Sequence, residues 1–458
     1  MSYILRHGAK KHGVKMSDDG YVNIKDLMKA EGVSRYKPTI TQIIQWVKNN
    51  DKKRFQLKID PPGEEPSVDN CYIRASQGHT MEGIEEEKLL SRIEFPYKYP
   101  TIVHGTYSKV IDLIMDKGLW KMDRNHIHFA KGFSGEKDVI SGMRQTCDIY
   151  VEINLAKIVS DDIPVYESAN GVILTAGVDG YLPTNYFKRV TDNKGNYIHM
   201  ADIDYIVVFD FECICNKDSN EEYKVQEIIE FPAVIIDCNK KQIVKAFQTY
   251  VKPTEYPELS EFCTELTGIT QEQVDGGVNM QTALLMFHEF LSRNGVLGSE
   301  FVLMWCGDFD VKAIRREAEY KQFFVPNYMK EWINIKKVFP MHLYQEGFTD
   351  DTIVKNIKKK KPVLKGMTHG LEILGLELLG KHHSGLDDSI NIARCVVKTL
   401  ENDFKYNQTH IATLAYSSDD DSAAKFYNDW SEKFKGQDIP QIDTDEYIES
   451  LEKLQIEE

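Results

Sequence analysis

The sequence predicts two folded regions, an α+β region over residues 1–190 and an α/β region over residues 204–404. In the first region, short strand-like runs surround a few short helices, whereas in the second, apolar strands alternate with long helices. The 458 residues amount to about three typical domains. A content of 42 % hydrophobic and 28 % charged residues excludes disorder along most of the chain, and no apolar run approaches the ~20 residues that a membrane helix needs.

Residues 1–95 show the element order of a winged-helix module. An apolar spacing of i, i+3, i+4 and i+7 predicts an amphipathic helix, at Ile40, Ile43, Ile44 and Val47. Strand-like runs follow at residues 54–57 and 72–75, on either side of a loop that contains two prolines and a glycine. Lysines and an arginine between residues 48 and 54 give this lobe a basic edge.

Residues 96–190 are interpreted as a second lobe, with short strands around one clear helix at residues 108–117. The strand-like segments are residues 127–129, 149–153 and 171–174. The stretch that follows is polar and contains the turn-forming sequence Asn-Lys-Gly-Asn. We therefore expect residues 191–203 to be a linker between domains.

From residue 204 onward the pattern predicts a three-layer α/β domain that ends at residue 404. Its predicted strands are residues 205–209, 232–237 and 301–306, and its predicted helices are residues 282–293, 311–318, 370–374 and 388–400. The lysine run 358–361 is interpreted as a solvated loop, with a phosphate-contacting edge as the alternative. Residues 405–458 are expected to form a flexible acidic tail with a terminal helix from Asp443.

The net charge of −15 does not exclude an enzyme that acts on RNA. Residues 417–458 contain thirteen acidic residues against four lysines, so the other 416 residues carry a net charge of only −6. Acidic clusters that bind metal would be neutralised in use. The eight cysteines are scattered without a C-x-x-C pair, so we expect reduced thiols in a cytoplasmic or nuclear protein.

Arginine- and histidine-containing motifs recur through the first 190 residues. They are L-R-H-G-A at 5–9, I-R-A-S-Q-G-H at 73–79, H-G-T at 104–106, D-R-N-H-I-H-F-A at 123–130, S-G-M-R at 141–144 and S-A-N-G-V-I-L at 168–174. A guanidinium group presents a rigid fork of donors that suits phosphate oxygens. Each arginine alone is weak evidence, but the ordered set is specific.

In order and spacing, these motifs resemble those of the RNA 2′-phosphotransferase family, known for tRNA splicing. The resemblance implies a winged-helix RNA lobe over residues 1–95 and an ADP-ribosyltransferase-like NAD lobe over residues 96–190. It also implies a two-step reaction. An internal RNA 2′-phosphate attacks the nicotinamide ribose of NAD and expels nicotinamide, and the adjacent ribose hydroxyl then attacks phosphorus, which releases ADP-ribose cyclic phosphate.

The same resemblance assigns roles to individual residues. The positions that match phosphate-engaging and transesterification residues are Arg6, His7, Arg74 and Arg144, and those that match NAD-gripping positions are His104, Gly105, Thr106 and His128. An ionised phosphate is already a nucleophile, so the first step needs positioning and charge clamps rather than a strong base. The apolar run 171–174 stands where protein-modifying relatives place a catalytic glutamate, which argues against protein ADP-ribosylation.

Acidic residues lie at the predicted ends of strands in the second region. Asp210 and Glu212 are two residues apart after an apolar strand, so both side chains face the same side. Further acids occur in the segments C-G-D-F-D at 306–310 and H-S-G-L-D-D at 383–388. Carboxylates from three elements, with a histidine nearby, suit a phosphodiesterase that uses two Mg²⁺ or Mn²⁺ ions.

This arrangement resembles the DEDDh 3′–5′ exonucleases of the ribonuclease H-like fold, and within them the histone-mRNA and RNA-interference exonuclease branch. The segments F-C-T-E-L-T-G-I at 262–269, W-I-N-I-K at 332–336 and G-L-D-D-S-I-N-I-A at 385–393 carry the resemblance to that branch. It implies that the metal-binding acids are Asp210, Glu212, Asp310 and Asp388, with His383 as the general base. Asp308 and Asp387 are rejected as metal ligands because they do not stand at the positions that the motif assigns to its acids.

The terminal base of an RNA is expected to lie between Phe211 and the turn formed by Leu266, Thr267 and Gly268. The two resemblances together predict a bifunctional RNA enzyme that uses NAD and two divalent ions. Three alternatives stay open. They are an active nuclease whose transferase is a degenerate RNA-binding lobe, favoured by the five residues before Arg6; a transferase that ADP-ribosylates RNA phosphate ends; and a non-enzymatic RNA-binding scaffold.

Overall fold

The computed structural model describes residues 1–80, 89–133, 143–144, 146–217, 223–340, 364–414 and 420–457. They fold as two compact units, Met1–Met200 and Ala201–Glu458. No helix among the described residues has the length and apolar content to cross a membrane. All eight cysteines carry free thiols. The lysine run 358–361 lies outside the described residues.

The first unit begins with short helices packed on a three-stranded antiparallel sheet of order β1-β3-β2. The elements are a π-helical turn (Ile4–Gly8), α1 (Ile24–Lys29), α2 (Glu31–Ser34), α3 (Ile40–Lys48), β1 (Val22–Asn23), β2 (Phe55–Ile59) and β3 (Cys71–Ala75). Thr39 and Gln42 form a reciprocal capping box that begins α3. Leu5 is fully buried against this core, so it anchors the turn that carries Arg6.

Two four-stranded antiparallel sheets, of orders β4-β9-β10-β7 and β13-β12-β8-β5, make up most of the rest of this unit, with the pair β11-β6 beside them. The elements are β4 (Leu90–Arg92), β5 (Val103–Thr106), α4 (Ile111–Lys117), β6 (Leu119–Trp120), β7 (Ile127–Phe129), β8 (Ile149–Ile153), α5 (Leu155–Ser160), β9 (Val165–Ser168), β10 (Ile173–Thr175), β11 (Tyr181–Leu182), β12 (Phe187–Asp192) and β13 (Tyr197–Met200). A bridge between Val103 and Ala130 joins the two sheets, and Phe129, Val151 and Phe187 are buried in the core.

The predicted linker over residues 191–203 is wrong. β12 and β13 pair as an antiparallel hairpin across these residues, and β12 also pairs with β8. The polar stretch is the turn of that hairpin, where Asp192 accepts hydrogen bonds from the backbone of Lys194 and Asn196. The boundary at residue 95 is also late, because β4 pairs with β9 of the second lobe.

The second unit is built on one mixed sheet of order β15-β16-β14-β18-β19-β20, with β17 paired to β16. Its strands are β14 (Tyr205–Phe209), β15 (Glu212–Cys213), β16 (Ile228–Asp237), β17 (Gln242–Tyr250), β18 (Phe301–Trp305), β19 (Glu331–Asn334) and β20 (Ile411–Thr413). Strands β14, β18 and β19 are parallel, and the other pairs are antiparallel. The carboxyl ends of the parallel strands therefore meet at one edge.

The helices of the second unit are α6 (Glu261–Thr267), α7 (Gln271–Asp275), α8 (Met280–Arg293), α9 (Phe309–Lys321), α10 (Ile335–Val338), α11 (Met367–Leu374), α12 (Gly385–Glu401), α13 (Asp420–Lys433) and α14 (Thr444–Glu457). α12 crosses the sheet beside β16, and its apolar residues Ile390 and Ala393 are buried in a core with Val208 and Val234. This packing brings the start of α12 to the end of β14.

The chain after residue 404 does not form the predicted flexible tail. β20 extends the sheet beside β19, and α13 packs on α8, where Trp430 Nε1 donates to Glu289 Oε2 at 2.9 Å. The segment is acidic on average, yet it is amphipathic, so its apolar residues can dock while its charges face water. The large apolar side chains buried in the two terminal helices include Phe426, Tyr427 and Leu451.

We predict that Gly385→Ala destabilises the second unit. A Cβ at this position would lie 2.6 Å from the carbonyl oxygen of Asp210 and 3.0 Å from Glu230 Oε2, so α12 would have to move off the strand. Overpacking of this kind costs about 1–3 kcal/mol. Thermal unfolding should show a lower Tm, whereas Gly366→Ala, where a Cβ would meet no atom within 4 Å, is the control. Equal Tm values for the two variants would contradict this packing.

Candidate functional site

A cluster of cationic groups surrounds Gly78 in the first unit. Gly78 has φ of +78°, and a Cβ there would lie 3.7 Å from His128 Nε2 and 3.8 Å from Arg6 Cζ, so these two side chains flank it. Burial lowers the pKa of Arg6, and the charges of Arg54 and Arg124 lower it further. Three guanidinium groups therefore share this region.

The histidines of the cluster are oriented by backbone carbonyls. His104 Nδ1 lies 2.8 Å from the His128 oxygen, and His128 Nδ1 lies 3.0 Å from the His126 oxygen. A carbonyl only accepts, so each Nδ1 carries the proton and each Nε2 is an acceptor. Burial, assisted by the charge of Arg124, lowers the pKa of His128 to about 3, and its ring is therefore neutral at pH 7.

His7 is adjacent to this cluster in the sequence and is held at its edge. Its Nδ1 lies 2.9 Å from Thr80 Oγ1, and the Thr80 amide donates to the Arg6 carbonyl at 3.1 Å. Burial and then the charges of Arg6 and Arg124 lower the pKa of His7. The structure thus brings together four of the predicted residues, which are Arg6, His7, His104 and His128.

The chemistry of this group suits an anionic ligand. Arg6 Nε is buried and has no hydrogen-bond partner among the described residues. A phosphate group would accept from that donor and offset the mutual repulsion that lowers the pKa of Arg6. A phosphorylated nucleotide or a phosphate of RNA therefore fits the residues present.

Arg74 is placed in a neighbouring cleft. Its Nε donates to Gln56 Oε1 at 2.7 Å, its Nη1 donates to the Asp19 carbonyl at 3.0 Å, and its guanidinium lies over the ring of Tyr21. The cleft has a volume of about 460 Å³, and Ser168 and Gly171 lie on its wall. The predicted S-A-N-G motif thus faces Arg74.

Arg144 lies beside β5, at the strand that carries Gly105 and Thr106. Hydrogen bonds from Thr146 and Arg144 lower the pKa of Tyr107. A Cβ on Gly105 would lie 2.6 Å from Cys147 Sγ, so only glycine allows this close packing. Thr106 is buried, and its carbonyl accepts from the Asp148 amide at 3.1 Å. The hydrogen bond to Tyr107 therefore places Arg144 at the end of β5, the strand that also carries His104.

Sequence reasoning missed two members of the cationic cluster, Arg54 and Arg124. Arg124 is exposed, yet its charge acts on Arg6, His7, His104 and His128. The signal was present, because Arg124 belongs to the motif at 123–130 that also contains His128. Arg54 was interpreted only as part of a basic edge, and its approach to Arg6 depends on tertiary packing.

The second unit gathers acidic residues at the end of β14. Asp210 and Glu212 follow the strand directly, and Asp310 lies in the first turn of α9. Asp310 Oδ1 accepts from the Phe211 amide at 2.9 Å, which fixes the start of α9 to the end of β14. Asp388 lies in the first turn of α12 and is almost fully buried.

Burial raises the pKa of all four carboxyls, and neighbouring carboxylates raise two of these pKa values further. Burial raises the pKa of Asp210 well above its usual range, and the charges of Asp310, Asp388 and Glu212 raise it further. The pKa of Glu212 rises to about 9 through burial and then through neighbouring carboxylates that include Asp388. Burial also raises the pKa of Asp310 to about 6. A bound cation would remove this penalty, because it favours the charged form of each acid.

Asp388 is also engaged by the loop before α12. His382 Nδ1 and the His383 amide each lie 2.9 Å from Asp388 Oδ2, and the two imidazole rings stack with centroids 4.0 Å apart. Within the described part of the chain, these three residues are the group of possible ligands whose atoms all lie within 4.8 Å of one another. The four predicted acids therefore share one electrostatic site without forming so tight a ligand set.

His383 is exposed and has φ of +71°, a conformation that non-glycine residues seldom adopt. Burial, with the charges of His382 and Lys381, lowers its pKa against the opposing effect of Asp388. The ring is therefore neutral near pH 7 and can accept a proton from water. The structure places this predicted general base beside Asp388.

Glu230 is a fifth carboxylate that the sequence reasoning missed. It is buried near the start of β16 and accepts hydrogen bonds from the Gly385 amide at 3.0 Å, the Leu386 amide at 3.1 Å and Gln248 Nε2 at 2.7 Å. Its position satisfies the free amides at the start of α12. The sequence feature that could have identified Glu230 is a charged residue within the apolar run of β16.

The two rejected acids have other partners. Asp308 accepts from Asn334 Nδ2 at 2.7 Å and Lys337 Nζ at 2.9 Å, which lower its pKa despite partial burial. Asp387 accepts from the Lys381 amide at 2.9 Å and from a C-terminal tyrosine. Both contact sets are structural, in keeping with the motif register.

The expected stacking role of Phe211 is wrong. Its side chain is only 4 % exposed, and it packs edge-on against Phe209 and Phe231 in the core. Phe309, next to Asp310 on α9, is 52 % exposed and is the aromatic ring available there. The turn at residues 266–268 does lie near the loop at residues 380–384, which carries His382 and His383, because Lys381 Nζ donates to the Glu265 carbonyl at 3.2 Å.

Comparisons with known proteins separate the two units. Residues 1–177 match the family model "RNA 2'-phosphotransferase, Tpt1 / KptA family". The chain is 40 % identical over 191 residues to tRNA 2'-phosphotransferase 1 of Danio rerio, which is 41 % of this chain and 81 % of the relative. The chain is also 38 % identical over 198 residues to a putative tRNA 2'-phosphotransferase of Schizosaccharomyces pombe. The match covers 43 % of this chain and 51 % of that relative, so the chain spans about half of the relative's length.

Residues 207–396 match an exonuclease family model. The chain is 30 % identical over 229 residues to the 3'-5' exonuclease Snipper of Drosophila melanogaster, which is 46 % of this chain and 75 % of the relative. A solved structure of a full-length 3'-exonuclease is 31 % identical to this chain. The match covers 48 % of this chain and 94 % of the chain in that structure, with a TM-score of 0.39.

We predict that the metal-free second unit loses stability as pH rises between about 4.5 and 9. Glu212 has its ordinary pKa of 4.5 when unfolded and about 9 when folded, so in this range the unfolded chain has released a proton that the folded chain still binds. Thermal unfolding in EDTA at pH 5, 7 and 9 should show the falling Tm, and excess Mg²⁺ should reverse the fall.

Two variants isolate this effect from other titrations. Asp210→Asn removes an acid whose ionisation is disfavoured in the folded state, so its Tm in EDTA should exceed that of the parent at pH 8 and should change less with added Mg²⁺. Asp308→Asn is the matched control, since Asp308 is already paired with Lys337. An Asp210→Asn chain with the same pH dependence and the same response to Mg²⁺ as the parent would refute the shared site.

Proposed function

The chain belongs to the RNA 2′-phosphotransferase family through its first unit and to the DEDDh 3′–5′ exonucleases through its second, and we propose on this basis that it is a bifunctional RNA-processing enzyme. The observation that carries the proposal is the presence, in one chain, of a cationic cluster around Gly78 and a carboxylate cluster at the end of β14. The first suits phosphate transfer, and the second suits metal-assisted hydrolysis.

The proposed first reaction transfers an internal RNA 2′-phosphate to NAD. A phosphate oxygen forms a bond to the anomeric carbon of the nicotinamide ribose as the bond to nicotinamide breaks. The adjacent ribose hydroxyl then attacks phosphorus, and the RNA 2′-oxygen leaves and takes up a proton. The products are nicotinamide, ADP-ribose cyclic phosphate and RNA with a free 2′-hydroxyl. The name of the relatives supports a tRNA substrate.

The cationic residues provide what this reaction needs. Arg6, with its unpartnered Nε, and Arg124 would hold negative phosphate oxygens, and the neutral His128 can accept a hydrogen bond through Nε2. Arg74 would hold RNA phosphate in the neighbouring cleft. Arg144 would approach phosphorus in the second step. We keep His104, Gly105 and Thr106 as the wall of the NAD site. We also keep the RNA-binding, winged-helix lobe, with its end moved from residue 95 to before β4.

The proposed second reaction removes nucleotides from an RNA 3′ end. Asp210, Glu212, Asp310 and Asp388 would hold two divalent ions, which supply an activated water and neutralise the leaving oxygen. His383 accepts the proton of the attacking water, for which its lowered pKa keeps it neutral. The exposed ring of Phe309 can stack on the terminal base in place of Phe211, and such stacking tolerates any sequence.

An intact transferase is favoured over a degenerate RNA-binding lobe. The turn of Arg6 is anchored by the buried side chains of Ile4 and Leu5, so this arginine is held in place rather than frayed. The two motif arginines, Arg74 and Arg144, are also present. The eight free thiols support the proposed cytoplasmic or nuclear location, where reducing conditions prevail.

We predict that Arg124→Ala lowers kcat/KM for 2′-phosphate removal by at least about 100-fold, which is typical for the loss of a preorganised charge or donor at a reacting oxyanion. Arg74→Ala and Arg144→Ala should abolish turnover. The assay follows the loss of a labelled 2′-phosphate from RNA in the presence of NAD and EDTA. Arg92→Ala, at an exposed position on β4, is the control. Equal turnover of Arg124→Ala and Arg92→Ala would exclude Arg124 from the site.

We predict that Asp210→Asn abolishes Mg²⁺-dependent shortening of a 5′-labelled RNA, because it removes a charge at the centre of the four-acid site. Asp308→Asn lies only two residues from Asp310 and should retain the parental rate, since its partners are Asn334 and Lys337. Shortening that survives in Asp210→Asn, or that is lost equally in both variants, would show that the acids are assigned wrongly.

A further inference from the structure

The C-terminal helix α14 contacts the start of α12, next to the carboxylate cluster. Tyr447 OH donates to Asp387 Oδ1 at 2.7 Å, although the two residues are 60 positions apart. Asp387 is 6 % exposed, so this bond lies within the protein. Asp387 directly precedes Asp388, and the contact therefore reaches a neighbour of a proposed metal ligand.

The second oxygen of Asp387 holds the loop that precedes α12. Asp387 Oδ2 accepts from the Lys381 amide at 2.9 Å. Gly380 approaches so closely that a Cβ there would lie 2.5 Å from that same oxygen, and its φ is +68°. One carboxylate thus joins three segments: α14, the loop at residues 380–384, and α12.

That loop carries the two histidines of the site. His383 is held in a left-handed backbone conformation with φ of +71°, which costs free energy for a residue with a side chain. Such a conformation persists only where the surroundings fix it, and Asp387 is one of the groups that fix this loop. The orientation of the general base therefore depends on the orientation of Asp387.

We propose that Tyr447 is a positioning residue for the exonuclease reaction, acting through Asp387 on the loop that carries His383. The inference rests on the proposed nuclease function of the second unit. It gives the C-terminal segment a role in catalysis, although Tyr447 itself touches neither the four acids nor His383 in the contacts described. An enzyme that lacks the tyrosine hydroxyl would fold, yet its histidine loop would be less well held.

The helix that carries Tyr447 has other attachments. Ile442 and Ala246 exchange backbone hydrogen bonds of 2.8 and 3.2 Å, Lys245 Nζ lies 3.1 Å from Asp443 Oδ2, and Leu451 is buried. Removing one hydroxyl therefore leaves the helix docked. Tyr447→Phe keeps the ring and deletes only the donor to Asp387, so it separates positioning from folding.

The test measures kcat and KM for 3′ shortening of a 5′-labelled RNA by the full chain with Mg²⁺. Tyr447→Phe should lower kcat by about tenfold, as is typical when a residue that orients a metal-site or catalytic group is lost. KM should change little, because the hydroxyl is bonded to the buried Asp387 and is not a proposed contact to RNA. The Tm should fall by no more than in Trp430→Phe, which also deletes a donor to a buried carboxylate.

Trp430→Phe is the matched control within the same C-terminal segment. It deletes the donor to the buried Glu289 carboxylate on α8, so it should lower Tm while kcat stays at the parental value. In an Asp387→Ala background, which removes the acceptor of the tyrosine hydroxyl, Tyr447→Phe should have no further effect on kcat, since the two residues act as one unit. An unchanged kcat in Tyr447→Phe, or an equal loss of kcat in Tyr447→Phe and Trp430→Phe, would overturn the proposal.

The outcomes also separate this inference from the proposed function. If the parental chain fails to shorten RNA while Asp210→Asn behaves identically, the nuclease assignment fails. If the parent shortens RNA, Asp210→Asn does not, and Tyr447→Phe retains full kcat, the nuclease assignment stands and the positioning role alone is refuted.

Discussion

Repulsion among buried carboxylates is the constraint on which the second unit depends. Asp210, Glu212, Asp310 and Asp388 converge because the parallel strands end at one edge and two helices begin there. Burial and then neighbouring carboxylates raise the cost of ionising Asp210 and Glu212, and the pKa of Glu212 reaches about 9. Hydrogen bonds from the surrounding structure offset part of this cost. The Gly385 amide at the start of α12 donates to Glu230, and the His383 amide and the His382 ring contact Asp388. Divalent ions would supply the remaining compensation.

The first unit has the opposite electrostatic problem. Arg6, Arg54 and Arg124 lower the pKa values of groups near Gly78, and the nearby imidazoles are neutral. Both sites are thus destabilised in the absence of a ligand of opposite charge, which is why each is proposed to bind one chemical class. A chain with a net charge of −15 can still act on RNA, because the sign of the charge at each site, and not the total, determines what binds there.

Much of the second site could be predicted from the sequence, because its acids follow strand and helix boundaries that leave periodic signals. Asp210 and Glu212 share a face after an apolar strand, and Asp388 opens a helix with a clear apolar stripe. Glu230 was missed because its partners, the amides of Gly385 and Leu386, lie 155 and 156 positions away. Phe211 was misplaced because the sequence does not tell whether an aromatic ring at a strand end faces the core or the solvent.

The absence of tertiary contacts from the sequence pattern also explains the wrong predictions for residues 191–203 and for the segment after residue 404. The polar stretch at residues 191–203 is a hairpin whose pairing with β8 is tertiary, and the acidic segment after residue 404 docks through a few apolar residues that its composition hides. Arg124 acts on four predicted residues only after the chain folds. Local patterns thus led to the proposed reacting groups, whereas the groups proposed to orient or balance them, such as Tyr447, required the structure.

The central claim is that one chain carries two independent RNA activities with separate requirements. It is tested most directly with a single 5′-labelled RNA that contains one internal 2′-phosphate, incubated either with NAD and EDTA or with Mg²⁺ and no NAD. The account predicts full-length RNA without its phosphate in the first reaction and a ladder of 3′-shortened products in the second. Retention of the phosphate in the first reaction beside a ladder in the second would contradict the claim and leave a nuclease with an RNA-binding lobe.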